Sequence, residues 1–347
     1  MSIPTPHLAA TAALAMPGGA PAHRRLLDQV LRFQGYLGLL IVFLLGSAFA
    51  PVRDNTNLFL DLPNQMNILR YVAETGIIAI GMTLVILIGE IDLAVGAVLA
   101  FSATFTAWLL TNGQFSTGTA FVTVLFSGVA LGFVNGIVTT GLRIPSFVVT
   151  LAMMSFARGL ARLIFGGVSI PLLPISEGGG APESAFFFSQ RLGGVLPVPA
   201  LVMFAMAIIV GGAMRYTAFG RHVYAIGGNS VAARLSGVRV DLVRVTVFAL
   251  CGALTAFASF IHAVQLNQGA PNDGYAYELN AIAAVVIGGT ALQGGIGGIA
   301  GSVAGAWMLG MIDNALNLNN VEADVQLLIK GALIVGAVAL QRLQRRT

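Results

Sequence analysis

Charge is what this chain has least of. Lysine, arginine, aspartate and glutamate together make up 9% of the 347 residues, while hydrophobic types make up 56%. With a mean hydropathy of +0.86, the chain cannot stay dissolved as a water-soluble domain and is an integral membrane protein. Cysteine is nearly absent. The single Cys251 lies in an apolar run, which excludes a disulfide framework and a cysteine-rich metal site and leaves a small buried packing residue. The four histidines, His7, His23, His222 and His262, form no pair at helical ligand spacing, so no structural metal is expected. The one lysine, Lys330, is followed by Gly331, so no phosphate-binding Gly-x-x-x-x-Gly-Lys-(Ser/Thr) loop exists. Any ATP must be hydrolysed by another chain. Paired aspartates or a His-x-x-x-His pattern, which an intramembrane enzyme would need, are also missing.

What is present is a series of long apolar runs. A helix needs about 20 apolar residues to cross roughly 30 Å of hydrocarbon, and in lipid every backbone amide must be bonded within the protein. The runs give an all-α membrane protein of about ten spans, near 36–52, 71–89, 93–111, 119–141, 146–165, 198–214, 245–265, 278–293, 299–318 and 325–341. A β-barrel would show alternating segments, whereas 245–266 is apolar throughout. The domain plan is therefore a tail over 1–35, a membrane domain over 36–341 and a short tail over 342–347. Met1 to Ala22 carries no basic segment ahead of an apolar core and reads as a cytosolic tail rather than a cleaved signal.

The net charge of +4 gathers at span ends. That distribution suits an inner bacterial membrane, not nucleic acid. The loop 215–244 holds Arg215, Arg221, Arg234, Arg239 and Arg244 against Asp241 alone. An even number of spans puts this loop, the N-terminal arginines and the C-terminal arginines on the cytosolic side, and puts the loop 166–197 outside. Both termini are then cytosolic.

Glycines recur every fourth residue at Gly128, Gly132 and Gly136 and again at Gly297, Gly301 and Gly305. Such ladders let two helices approach closely, so they point to helix packing. The two ladders lie in the fourth and ninth spans, counterparts in a possible inverted repeat; a second echo, Glu74 to Glu90 against Glu278 to Gly289, pairs spans two and eight instead. Polar groups inside spans cost free energy and normally face a cavity or a partner. Of these, Asn135, Asn314 and Asn317 are the candidates for lining a pathway for a polar solute, since amides exchange hydrogen bonds without trapping it; otherwise they bond between helices. Arg158, Arg162, His262, Gln265 and Asp313 complete the set, the arginines expected to pair with acids or reach outward. Between spans two and three, Asp92 is placed to cap the next helix, and Glu90 reads as a hinge or as the ion-pair partner of an arginine.

Several of these blocks resemble the permease subunits of ribose and related monosaccharide ATP-binding-cassette importers. They are GMTLVILIGEIDLAVG (81–96), NGIVTTGLRIPSFVVT (135–150), the segment 218–238 and YELNAIAAVVIGG (277–289). The resemblance implies a pathway shared by two permease subunits, alike or different. It also implies two cytosolic ATPase subunits that use ATP and magnesium, and an extracytoplasmic sugar-binding protein. No cofactor is expected on this chain. By that resemblance, Gly220, Arg221, Tyr224, Asn229, Ala232, Ala233, Ser236 and Gly237 form or support a short helix that docks into the ATPase. The residues agree with a helix there: Asn229 or Ser230 can start it, the alanines favour it and Gly237 can end it. Two departures stand out. Glu90 replaces a glycine, and LQGGIGG (292–298) lacks an arginine often found in that turn. The alternative is a stand-alone ion-coupled carrier, which would need an acid or cation site within the membrane.

Overall fold

In a computed structural model, residues 34–344 are described, and from Gly35 onward they form one compact unit. The tails expected over 1–35 and 342–347 lie almost wholly outside those residues. The helices are α1 (Gln34–Phe49), α2 (Leu62–Leu87), α3 (Val95–Thr111), α4 (Thr117–Gly141), α5 (Ser146–Phe165) and α6 (Val198–Tyr216). They continue as α7 (Ala218–Leu235), α8 (Val240–Leu266), α9 (Tyr277–Ile287), α10 (Ile299–Leu318) and α11 (Ala323–Gln344). Each expected span coincides with one of them, and α7 is the addition, inside the basic loop. Six of the described helices, α2, α4, α5, α6, α8 and α10, are long and apolar enough to cross a membrane.

The exception that matters is α9. Its 11 residues rise only about 16 Å, too little to cross alone, whereas the sequence suggests a helix to 293. Gly288 and Gly289 stop it, the latter at φ +93°, and the chain runs on irregularly to Gly298. The same occurs after α2, where Gly89 takes φ +79° and residues 88–94 are not helical. These two breaks meet: the Gly295 amide donates to the Leu87 carbonyl at 2.9 Å. At its other end α9 touches the middle of α2 through Tyr277 and Glu74. The two helices therefore run in the same direction, and the echo between them is not an inversion.

The short strands lie in the connections. β1 (Val52–Arg53) and β2 (Thr56–Asn57) form a hairpin whose turn residues Asp54 and Asn55 both take positive φ, as the twist of a tight hairpin demands. In the connection 166–197, β3 (Ile170–Pro171) pairs with β6 (Gln268–Gly269), the segment just after α8, and β4 (Arg191–Leu192) pairs with β5 (Leu196–Pro197). The same connection holds two 3-10 turns, Ile175–Glu177 and Glu183–Ser189, joined by the Ser176 amide donating to Glu183 at 2.8 Å.

At the centre, α8 packs on α2, α3 and α4. Its approach to α4 follows the first glycine ladder. A Cβ on Gly128 would collide with the Gly252 carbonyl and the Ala256 side chain, one on Gly132 with the Phe248 carbonyl, and one on Gly136 with the Val245 Cα. In lipid no hydrophobic force draws helices together, so backbone contact of this kind is the packing energy. The second ladder is shorter than expected. Gly301 and Gly305 sit against the carbonyls of Gly288 and Ala284, but Gly297 precedes the helix at φ +133°, boxed by the Thr290 side chain.

Replacing Gly132 by valine drives side-chain atoms into the backbone of α8. A loss of at least ~2 kcal/mol is expected, read as a lowered thermal midpoint in detergent. Gly141→Ala, where nothing approaches, is expected to leave the midpoint within a degree or two; equal midpoints for both variants would contradict the packing.

Candidate functional site

Within the basic segment, α7 is two helical pieces set end to end: Asn229, at φ −162° and ψ 103°, breaks it in the middle. The Asn229 Oδ1 accepts from the Val231 and Ala232 amides, both at 3.0 Å, and so caps the second piece. Gly237, at φ +87°, closes that piece, with its amide donating to the Arg234 carbonyl. The Arg234 side chain is gripped by Asp241 at 2.7 and 3.1 Å, and that bond holds its guanidinium above the usual range. Ala233 faces inward, while Arg221, Ala232 and Ser236 are exposed. Val231 and Leu235 are 68% and 85% exposed. The outcome is a capped, rigid stub with an apolar tip among arginines.

The inner side of α7 rests on both helix breaks. Tyr224 donates its hydroxyl to the Gly297 carbonyl at 2.9 Å. A Cβ on Gly227 would meet the Leu87 carbonyl and the Gly295 amide, and one on Gly220 would meet the Met214 carbonyl. Close backbone contact here means that a displacement of α7 must be felt at residues 87–94 and 288–298.

The break at 88–94 is held by its own set of polar groups. Ser146 and Thr150 of α5 accept from the Ile91 and Leu93 amides at 3.2 and 3.1 Å, replacing the bonds that helix would have provided. Glu90 forms an ion pair with Arg244 at 3.4 Å, the partnership that its charge suggested. Asp92 accepts from the Ala94 amide at 2.9 Å; the bond closes a turn just ahead of α3 and does not reach the first amides of the helix itself.

The three asparagines fall in different places. Asn135 is buried in α4, its Oδ1 without a hydrogen-bond partner among the described residues. Asn314 exchanges two amide bonds with Asn64, each at 2.9 Å, tying α10 to the start of α2. Asn317 accepts from Gln326 at 2.8 Å, linking α10 to α11. Asp313 and Lys330 join the same two helices at 2.9 Å. Arg158 and Arg162 point to the segment after α8 and bind the Pro271 and Asp273 carbonyls and the Asn272 side chain. Carbonyls, not acids, are thus their hydrogen-bond partners.

A group of which the sequence-derived candidates include only His262 lies between α2, α8 and α9. His262 Nδ1 is 2.7 Å from Glu74 Oε2, which also accepts from the Tyr277 hydroxyl at 3.1 Å. Asp273 stands 3.6 Å from His262 Nε2 and accepts from the Ala270 amide at 2.8 Å. Glu74 and His262 are both almost fully buried. A carboxylate in the middle of an apolar span was the available signal, because such a group needs a partner; the partner's identity depended on residues far along the chain. These four side chains pin the dipping segment 267–276 into the bundle.

Similarity to known permease subunits makes this chain a transport subunit rather than an enzyme. The chain belongs to the family described as branched-chain amino acid transport system / permease component, whose model matches residues 64–338. Curated relatives lie closer in kind to sugar transport. The chain is 39% identical to the ribose import permease protein RbsC of Bacillus subtilis (strain 168), over 91% of this chain and 94% of that one. It is 36% identical to RbsC of Escherichia coli (strain K12), over 87% and 91%, and 34% identical to the xylose transport system permease protein XylH of the same strain, over 83% and 87%. No solved structure matches. The likeness to monosaccharide importer permeases read from the motifs is thereby shown across the membrane part.

Breaking a buried charged pair by removing one member costs ~3–5 kcal/mol, whereas replacing both by apolar groups is often tolerated. His262→Leu is expected to destabilise the detergent-solubilised protein by that amount, and Glu74→Leu/His262→Leu by clearly less than the two single variants summed. Strict additivity in thermal melts would show that the two side chains do not act together.

Proposed function

We propose that this chain is a membrane-spanning permease subunit of an ATP-binding-cassette importer for a ribose-like monosaccharide, driven by separate ATPase subunits that grip α7. The observation that carries this reading is the seat of α7: a capped, exposed stub whose inner face touches both helix breaks. Closure of two ATPases on ATP and magnesium would push the stubs, and the breaks at 88–94 and 288–298 are where the bundle can yield. The arginines around α7 favour its cytosolic placement in the inner membrane, with both termini on that side. A second permease copy or a related chain would complete the pathway, and the connection 166–197 would receive a sugar-binding protein on the outer face. The relatives named for ribose and xylose transport favour a pentose-sized solute.

A second reading, an ion-coupled carrier acting alone, gains one observation: the Glu74–His262–Asp273 cluster is the kind of intramembrane acid such a carrier needs. Against it, Glu74 is already committed to His262 and Tyr277, and these bonds serve to fix the 267–276 segment.

Arg221→Glu reverses charge on the exposed face of α7, and Ala233→Pro breaks its second piece. Both are expected to insert in the membrane yet lose copurifying ATPase and at least tenfold of ATP-dependent ribose uptake. Parental ATPase binding and uptake in both variants would remove α7 from the docking role.

A further inference from the structure

Between α2, α9 and α10 lies a recess that the proposed function does not yet use. It is lined by Tyr71, Thr75, Tyr277, Asn280 and Asp313 with an apolar back wall that includes Val72 and Leu309. Thr75 is near the midpoint of α2 and Asn280 is in the first turn of α9, so both are placed within the bundle rather than in its connections. Tyr71 is exposed and Thr75 and Asn280 are half-buried, with no hydrogen bond from their side chains among the described residues, while the buried Asp313 Oδ1 is also unpaired. Polar groups left open at this depth are costly against lipid, and their convergence on one recess signals contact with water or a polar solute.

The chemistry of the walls selects among solutes. Asp313 is neutralised by Lys330 at 2.9 Å, and the nearby Glu74 is consumed by His262 and Tyr277. No uncompensated charge therefore lines the recess to attract an ion. What remains are two phenol rings, a hydroxyl and an amide that both donates and accepts. Such groups match alternating C–H faces and hydroxyls. The space open to water in the recess is about 20 Å³, room for a water molecule or for one hydroxyl group at a time rather than for a whole sugar. The Glu74 bond to the Tyr277 hydroxyl fixes one wall, and the helix break after α9 lets the other wall move with α7.

We propose that the recess walled by Tyr71, Thr75, Tyr277, Asn280 and Asp313 is a transient contact site for the hydroxyl groups of a neutral sugar crossing the membrane. The site deepens the permease reading and rests on it. It replaces Asn314, whose amide is closed on Asn64, as the polar lining of the path.

Thiol labelling tests the site without relying on transport. Thr75→Cys and Asn280→Cys are made in the full chain, assembled with its ATPase and binding protein in proteoliposomes; the native Cys251 is buried, and the parental chain measures its background. A membrane-impermeant thiol reagent is expected to label both variants, and millimolar D-ribose or D-xylose to slow labelling at least threefold, while L-leucine does not. No labelling would place these residues against lipid, and labelling indifferent to both sugars would remove the contact; either result overturns the site. Slowing by leucine alone would overturn the sugar assignment. In parallel, Asn280→Ala is expected to lower ATP-driven ribose uptake at least tenfold, with bound ATPase as the check on folding; if it fails that check, Thr75→Val takes its place. Failure of the parental complex to carry either sugar would instead strike the permease reading, and that outcome is separate from the labelling result.

Discussion

Backbone that leaves the helix in the packed interior must find its hydrogen bonds within the protein, and this chain does so at two connections that meet in one place. The Gly295 amide meets the Leu87 carbonyl, and Gly227 of α7 lies against both. Glycine is required at that meeting because a Cβ on Gly227 would overlap the two backbones. Ser146, Thr150 and Tyr224 supply further bonds to the irregular segments. A bundle of continuous helices would transmit little from end to end. Two breaks stitched to each other and to an external stub give the bundle a place where force from outside can enter.

The remaining polar groups divide according to whether they are satisfied. Glu74, His262, Tyr277 and Asp273 bond to one another or to nearby backbone and anchor the dipping segment. Asn64 and Asn314 close on themselves. Tyr71, Thr75 and Asn280 keep open hydrogen-bonding capacity on one recess. In a membrane the first kind of group holds elements together, while the second has to be explained by something polar that visits. Packing and anchoring draw on different residues in the same helices, and Tyr277 belongs both to the anchor and to the wall of the proposed contact site.

Much of this was legible in the sequence, and for local reasons. Asn229 followed by alanines and Gly237 marks a capped short helix, and the structure caps it at Asn229. The ladder at Gly128, Gly132 and Gly136 marks a helix-contact face, and Gly252 and Ala256 on the receiving helix, also four apart, form the small-residue face that meets it. Glu90 announced an arginine partner and found Arg244. What stayed hidden depends on distant residues: His262 and Glu74 are 188 positions apart, and Asn64 and Asn314 are 250 apart. The early end of α9 was hidden for another reason, since an apolar run continuing past Gly289 does not reveal that Gly288 must fit under Gly301.

The central claim is that this bundle has no drive of its own and moves solute only when an ATPase works on α7. The most direct measurement is uptake of labelled D-ribose into proteoliposomes holding the chain with its binding protein, with and without the ATPase subunits, under ATP or under an imposed proton or sodium gradient. Uptake is predicted only where ATPase and ATP are both present. Uptake driven by an ion gradient in the absence of the ATPase would contradict the claim.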